Sequence, residues 1–103
     1  MSKITCEELL DWQNHKEFTL LDVRLRAVKE TQPPSIARAV WRDPELIESW
    51  LPDLPDRPIV VFCAHGRSVS QGITSQLSQA GFTAFYLEGG LAGWQEQGHI
   101  VIA

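Results

Sequence analysis

One thiol carries most of the chemistry this chain can do. In Val60-Val61-Phe62-Cys63-Ala64-His65-Gly66-Arg67-Ser68-Val69-Ser70 a β-branched run ends in a cysteine, a short loop with a central glycine follows, and a helical pattern starts at once. That order puts Cys63 at the carboxyl end of a strand, facing the positive end of a helix. A thiol so placed ionises readily and can hold a negatively charged adduct. Ala64 to Ser68 should arch around the sulfur with backbone N–H groups turned inward, an anion-binding nest. Gly66 answers the need for a backbone conformation that residues with side chains tolerate poorly. Arg67 and His65 can add positive charge. A free thiol titrates at about 8.5, and such surroundings lower it to ~3.5–7.5. The chemistry expected is that of a nucleophilic thiolate.

The elements that must position this sulfur are those of one small domain. The 103 residues, 44% apolar and 21% charged, match an ordinary globular protein. A net charge of −4 without a basic stripe argues against nucleic acid as a partner. No apolar run reaches the ~18 residues of a membrane span, so no membrane association is expected. The amino-terminal residues turn acidic at Glu7-Glu8, before an export signal could form. Two cysteines, Cys6 and Cys63, make a disulfide framework improbable and suggest a reducing, cytoplasmic setting. His15, His65 and His99 lack metal-ligand spacing, and no structural zinc is expected.

Thr5 and Glu8 form a capping box for a helix over Thr5 to Gln13, with Ile4 stapled onto Leu9. Phe18 to Val23 reads as a buried parallel strand. Arg24 to Ser35 reads as a loop with at most one short helix, broken by Pro33-Pro34. Ala39-Val40-Trp41 suggests an edge strand. Asp43-Pro44 starts a helix whose Leu46, Ile47, Trp50 and Leu51 share a face until Pro52. Ile59 to Phe62 is the firmest strand. A helix over Val69 to Ala80 aligns Val69, Ile73, Leu77 and Ala80, with Gly72 allowing close approach to the sheet and Gly81 closing it. Thr83 to Leu87 is a strand, Gly89-Gly90 a turn, and a short helix carries Leu91 and Trp94 to near Gly98. Strands alternating with helices predict an α/β fold, a small, mostly parallel sheet wound on both faces.

Cys63-Ala64-His65-Gly66-Arg67-Ser68 resembles the active-site loop of single-domain rhodaneses, the thiosulfate sulfurtransferases, which runs C-x-x-G-x-(S/T/R). Leu21-Asp22-Val23-Arg24 is similar to the family's D-V-R signature. Leu87-Glu88-Gly89-Gly90 with Trp94 and Gly98 is similar to its G-G-x-x-x-W close. The resemblance covers nearly the whole chain and implies a rhodanese-like fold of about five strands. It implies ping-pong sulfur transfer through a Cys63 persulfide, from thiosulfate or a related donor to cyanide, a thiol or a protein acceptor, without a cofactor. It assigns Ala64, His65, Gly66, Arg67, Ser68, Val69 and Arg24 to substrate binding. Asp22 would brace the structure, and Arg24 would order the loop or attract the anion.

The chain departs from the family where G-H-I-x-G-A would stand; here Pro34-Ser35-Ile36-Ala37-Arg38-Ala39 occurs. That loop should differ in shape, and Arg38 is expected to support the site with charge near its mouth. Trp41-Arg42-Asp43-Pro44 bears a faint likeness to a rhodanese subgroup attached to chromate-resistance proteins. Ala64 stands where Arg is common, leaving Arg67 as the loop's one assured cation.

Other readings stay open. Cys6 suits an inert core position, His65 a loop-shaping or solvent-facing one, and Trp41 and Trp94 the core or a cleft wall. A phosphatase needs a seven-residue C-x-x-x-x-x-R loop, and Val69 stands at that Arg position. An arsenate reductase needs a resolving thiol, absent near Cys63 in sequence. A non-catalytic binding or sensing module remains the third class.

Overall fold

The structure, a computed structural model, describes residues 2–102. Five strands form one sheet: β1 (Ser2–Ile4), β2 (Thr19–Asp22), β3 (Val40–Trp41), β4 (Ile59–Phe62) and β5 (Ala84–Leu87), in the order β1-β5-β4-β2-β3. Every neighbouring pair is parallel. All strand carboxyl ends therefore emerge on one edge of the domain, as ligand sites of open α/β sheets require. The helices are α1 (Cys6–His15), α2 (Arg26–Thr31), α3 (Ile47–Trp50), α4 (Ser68–Gln79) and α5 (Gly90–Glu96).

The side-chain alternation of β4 sorts the core into two layers. Val60 and Phe62 pack with Leu9 of α1 and Leu91 and Trp94 of α5. Ile59 and Val61 pack on the opposite face with Trp50 of α3 and Ile73 and Leu77 of α4. Cys63 continues the odd-numbered parity and so points to the face that α4 covers. The parallel α/β architecture with helices on both faces is thus as the sequence predicts, and no described helix is long and apolar enough to cross a membrane.

The capping box of α1 forms as expected. Thr5 Oγ1 accepts from the Glu8 N–H at 3.1 Å, and Glu8 Oε1 accepts from the Thr5 N–H at 2.9 Å. Gly81, at φ +95°, follows the end of α4 as its sequence position implied.

One strand goes unannounced by the sequence, and four local expectations are corrected. β1 carries a single apolar residue, the buried Ile4, too little for a strand pattern, and it forms by pairing along the edge of β5. The segment after Asp43 is a 3-10 turn over Pro44–Leu46, a single α turn, and a second 3-10 turn over Leu51–Asp53 that contains Pro52. Within it Ile47 and Trp50 are buried, whereas Leu46 faces solvent. Gly72 faces solvent with nothing near its missing Cβ, so it does not mediate contact with the sheet, and Ala80 is exposed too.

Candidate active site

β4 delivers Cys63 at its carboxyl end, and α4 begins five residues later on the same face of the sheet. The Cys63 sulfur is buried, 3.2 Å from Ser70 Oγ. Ser70 is the third residue of α4, and a helical Cα–Cβ bond tilts toward the amino terminus, which aims this hydroxyl back at the sulfur. With the thiol ionised, the Ser70 hydroxyl and the backbone N–H groups of Ser70, Arg67 and His65 donate to it. Burial is the largest influence on Cys63 and pushes its thiol up. The Ser70 hydroxyl, followed by those three amides, outweighs burial and holds it below its ordinary value. A buried sulfur stabilised by oriented donors is a nucleophile with little water around it.

The loop is held in this shape by the turn before α5. Gly66, at φ +69°, packs so closely that a Cβ there would lie 2.6 Å from the Leu87 carbonyl oxygen. Gly90 packs reciprocally: its Cβ would lie 2.5 Å from both the Cys63 carbonyl oxygen and the Gly66 nitrogen. The Leu91 and Ala92 N–H groups of α5 donate to the carbonyls of Cys63 and Ala64 at 2.9 Å. Gln71 Nε2 donates to the Gly66 carbonyl at 3.0 Å. Gly89-Gly90, expected only as a turn, is therefore the seat on which the cysteine loop rests.

Asp22 and Arg24 form a buried unit behind the loop. Arg24 Nε and Nη2 clasp the Asp22 carboxylate at 2.8–3.1 Å, and Nη1 donates to the Gln32 carbonyl at 2.7 Å. Ser35 Oγ donates to Asp22 Oδ2 at 3.1 Å, and Trp41 Nε1 to the Arg24 carbonyl at 2.9 Å. These bonds tie the end of β2 to the segment through Ser35 and to β3. Removing one partner of such a pair costs about 3–5 kcal/mol, because the other is left buried and uncompensated. With its charge matched by Asp22, Arg24 shapes the wall and offers little long-range pull on an anion.

An open pocket of about 170 Å³ leads to Cys63. Arg24, Ala64, His65, Arg67, Ser68 and Val69 line it, as does the edge formed by Leu25 and Val28. The structure thus gathers the loop residues and Arg24 around one sulfur, with Gly66 buried beneath them and Asp22 behind. His65, Arg67 and Ser68 are exposed, and Arg67 is the exposed lysine or arginine at the mouth.

Arg38 does not join them. The parallel register pairs Leu21 with Val40, which places Arg38 level with Thr19 and Ile59 at the amino end of the sheet. Cys63 lies four residues beyond Ile59, about 13 Å further along at the rise of a strand. The expected charge near the mouth is corrected: a residue just before a parallel strand must lie at the edge opposite the residue just after one.

Sequence reasoning missed Ser70, Gln71 and the wall residues Leu25 and Val28. A hydroxyl in the first turn of a helix that follows a cysteine loop is a signal that could have found Ser70. Leu25 and Val28 carry none, because only the chain path of α2 brings them to the pocket.

A cysteine at a strand end, an amide-lined loop after it and a five-stranded parallel sheet in this strand order define an α/β domain built around a cysteine loop. The chain belongs to the rhodanese-like domain family, whose model matches residues 5–97. It is similar to a rhodanese-related protein from Thermoplasma volcanium, at 28% identity and a TM-score of 0.86 over 99% of this chain and 98% of that one. A thiosulfate sulfurtransferase from Pseudomonas aeruginosa matches 98% of this chain at 20% identity and a TM-score of 0.83, the match covering 19% of that longer protein. A Rhodopseudomonas palustris protein of unknown function, described as a possible tyrosine phosphatase, matches 99% of this chain and 85% of its own at 18% identity and a TM-score of 0.85. These last two likenesses show the fold alone. No curated protein matches the chain.

Proposed function

We propose that this rhodanese-like domain transfers sulfane sulfur through a persulfide on Cys63. The observation that carries the reading is the Cys63 sulfur held by the Ser70 hydroxyl and the amides of His65, Arg67 and Ser70, with its thiol driven toward the anion. The thiolate attacks the outer sulfur of thiosulfate. A bond forms between Sγ and that sulfur, and the bond to the sulfonate breaks, sulfite leaving with the electron pair. The donors that steadied the thiolate are then within reach of the anionic Cys63–S–S⁻. In the second half a thiophile, cyanide or a small or protein thiolate, attacks the outer sulfur and returns Cys63 to the thiolate. Neither half requires a general base or a cofactor.

Arg67 stands where it can meet an anionic donor. Two features weigh against the alternatives. The loop ends with Val69 where a phosphatase has its arginine, so bidentate clasp of a phosphoryl group is missing there. Cys6, the only other thiol, packs in the core layer across the sheet and is out of place to resolve an arsenate adduct. Two unpaired cysteines suit a reducing, cytoplasmic compartment.

The test is intact-mass spectrometry after incubation with thiosulfate. One added sulfur atom is expected on the wild-type chain and on Cys6→Ala, with none on Cys63→Ala; added cyanide should remove it as thiocyanate. A chain that takes up no sulfur from thiosulfate or from an organic persulfide would be a binding module.

A further inference from the structure

The amino end of the sheet carries a hollow of about 340 Å³, on the edge opposite Cys63. Lys16, Arg38 and Arg57 line it together with the apolar Phe18, Leu20 and Val40, and Glu17 is the one carboxylate in its lining.

The disposition of positive charge makes this hollow unusual in an acidic protein. Of the nine Lys and Arg residues, Lys3, Arg24 and Arg26 pair with Glu88, Asp22 and Asp43. Lys29 lies over the Trp41 ring, Arg42 donates to the Trp41 carbonyl, and Arg67 stands at the thiol pocket. The remaining three all line this hollow, and none pairs with a carboxylate among the described residues. Two of them are positioned rather than free. Lys16 Nζ sits 4.1 Å from the centre of the Trp12 ring, and Arg57 Nε donates to Thr19 Oγ1 at 3.0 Å. Arg38 is held at φ +71°, the one described residue other than glycine in the left-handed region, next to a strand whose other side is free.

From this grouping we propose that the amino-end hollow is a second binding site, for a small organic dianion of the phosphate monoester or phosphonate type with an apolar body. The three cations take the anionic head, and the apolar lining takes the apolar part. Glu17 lowers the net charge of the lining and sets the preference for a compact head over a dispersed polyanion. The site is separate from sulfur transfer, because the whole length of the strands lies between it and Cys63.

The probe is phenylphosphonate, which the thiol cannot hydrolyse, titrated calorimetrically into the full chain beside inorganic phosphate and benzyl alcohol. Saturable one-to-one binding of phenylphosphonate is expected, tighter than inorganic phosphate, with none for the neutral alcohol and weakening as salt rises. Arg38→Gln and Arg57→Gln should each weaken it by about tenfold. Arg67→Gln should leave the affinity unchanged, and both hollow variants should still take one sulfur onto Cys63, which also shows that they fold. Absence of saturable binding overturns the proposal. So does affinity lost in Arg67→Gln and kept in the two hollow variants, since the probe would then sit at the thiol loop.

Discussion

The two cysteines occupy superficially similar places and behave oppositely. Both are buried, and both stand beside a helix amino terminus: Cys6 is the first residue of α1, and Cys63 faces the start of α4. Burial first, then the charges of Glu88 and Glu7, push the Cys6 thiol up. Cys63 also meets a penalty of burial, the largest influence on it, and overcomes it. The difference is direction. Cys6 lies within its helix, so the first-turn N–H groups do not converge on its sulfur, and its nearest polar partner is the Glu88 carbonyl oxygen at 3.9 Å. Cys63 lies ahead of its helix, at the focus of a loop and a first helical turn that together aim three amides and one hydroxyl at it. A helix end near a thiol is insufficient; donors must aim at the sulfur, and carboxylates must stay away.

The largest break in this contrast should come from Gly66→Ala. The added Cβ at 2.6 Å from the Leu87 carbonyl oxygen, on a backbone at φ +69°, forces the loop off its seat. About 1–3 kcal/mol of stability should go to overpacking and a similar amount to backbone strain. A displacement of about 1 Å at the sulfur costs on the order of 100-fold in rate, so persulfide formation should fall by that much even in folded protein. Stopped-flow sulfur transfer with a parallel thermal melt measures both.

Ser70→Ala should have a smaller and more specific effect. Losing a hydrogen bond to a charged group costs roughly 1.5–3 kcal/mol, so the rate near neutral pH should drop by about tenfold or more. The sign with pH follows from a depressed thiol. In the wild type the thiolate, and the stability it contributes, persist above the unfolded thiol's value and are lost as pH falls through the lower folded one. Removing the hydroxyl moves that loss to higher pH, and the deficit should close in alkaline buffer. A pH–rate profile that keeps its midpoint would show that Ser70 only packs.

Glu88→Gln is the smallest change and acts on the other cysteine. Glu88 is the second cause of the raised Cys6 thiol, after burial. Neutralising it should move Cys6 modestly toward its ordinary value, followed through its Cβ carbon shift by NMR, and leave sulfur transfer at Cys63 unaltered.

Much of this contrast was legible in the sequence. The parity of Ile59, Val61 and Cys63 follows from the two-residue period of a strand, and the left-handed backbone of Gly66 follows from its place in a tight loop. The capping box of α1 needed only Thr5 and Glu8. What escaped is tertiary. β1 is three residues long with one apolar member, Ile4, and is visible only once β5 offers an edge. The seat made by Gly90 depends on two distant loops meeting at van der Waals contact, and Gly72 looked like a packing glycine only because periodicity cannot say which flank of α4 meets solvent. Arg38 falls at the edge opposite Cys63 because it precedes its parallel strand whereas Cys63 follows one, a distinction that residue type does not carry.

The most direct test of a thiolate focused at Cys63 is its rate of alkylation by iodoacetamide as a function of pH, resolved from Cys6 by peptide mass spectrometry. The focused donors require a midpoint for Cys63 below the ~8.5 of a free thiol, with native Cys6 essentially unlabelled across the same range. A Cys63 midpoint at or above that of a free thiol would contradict the account.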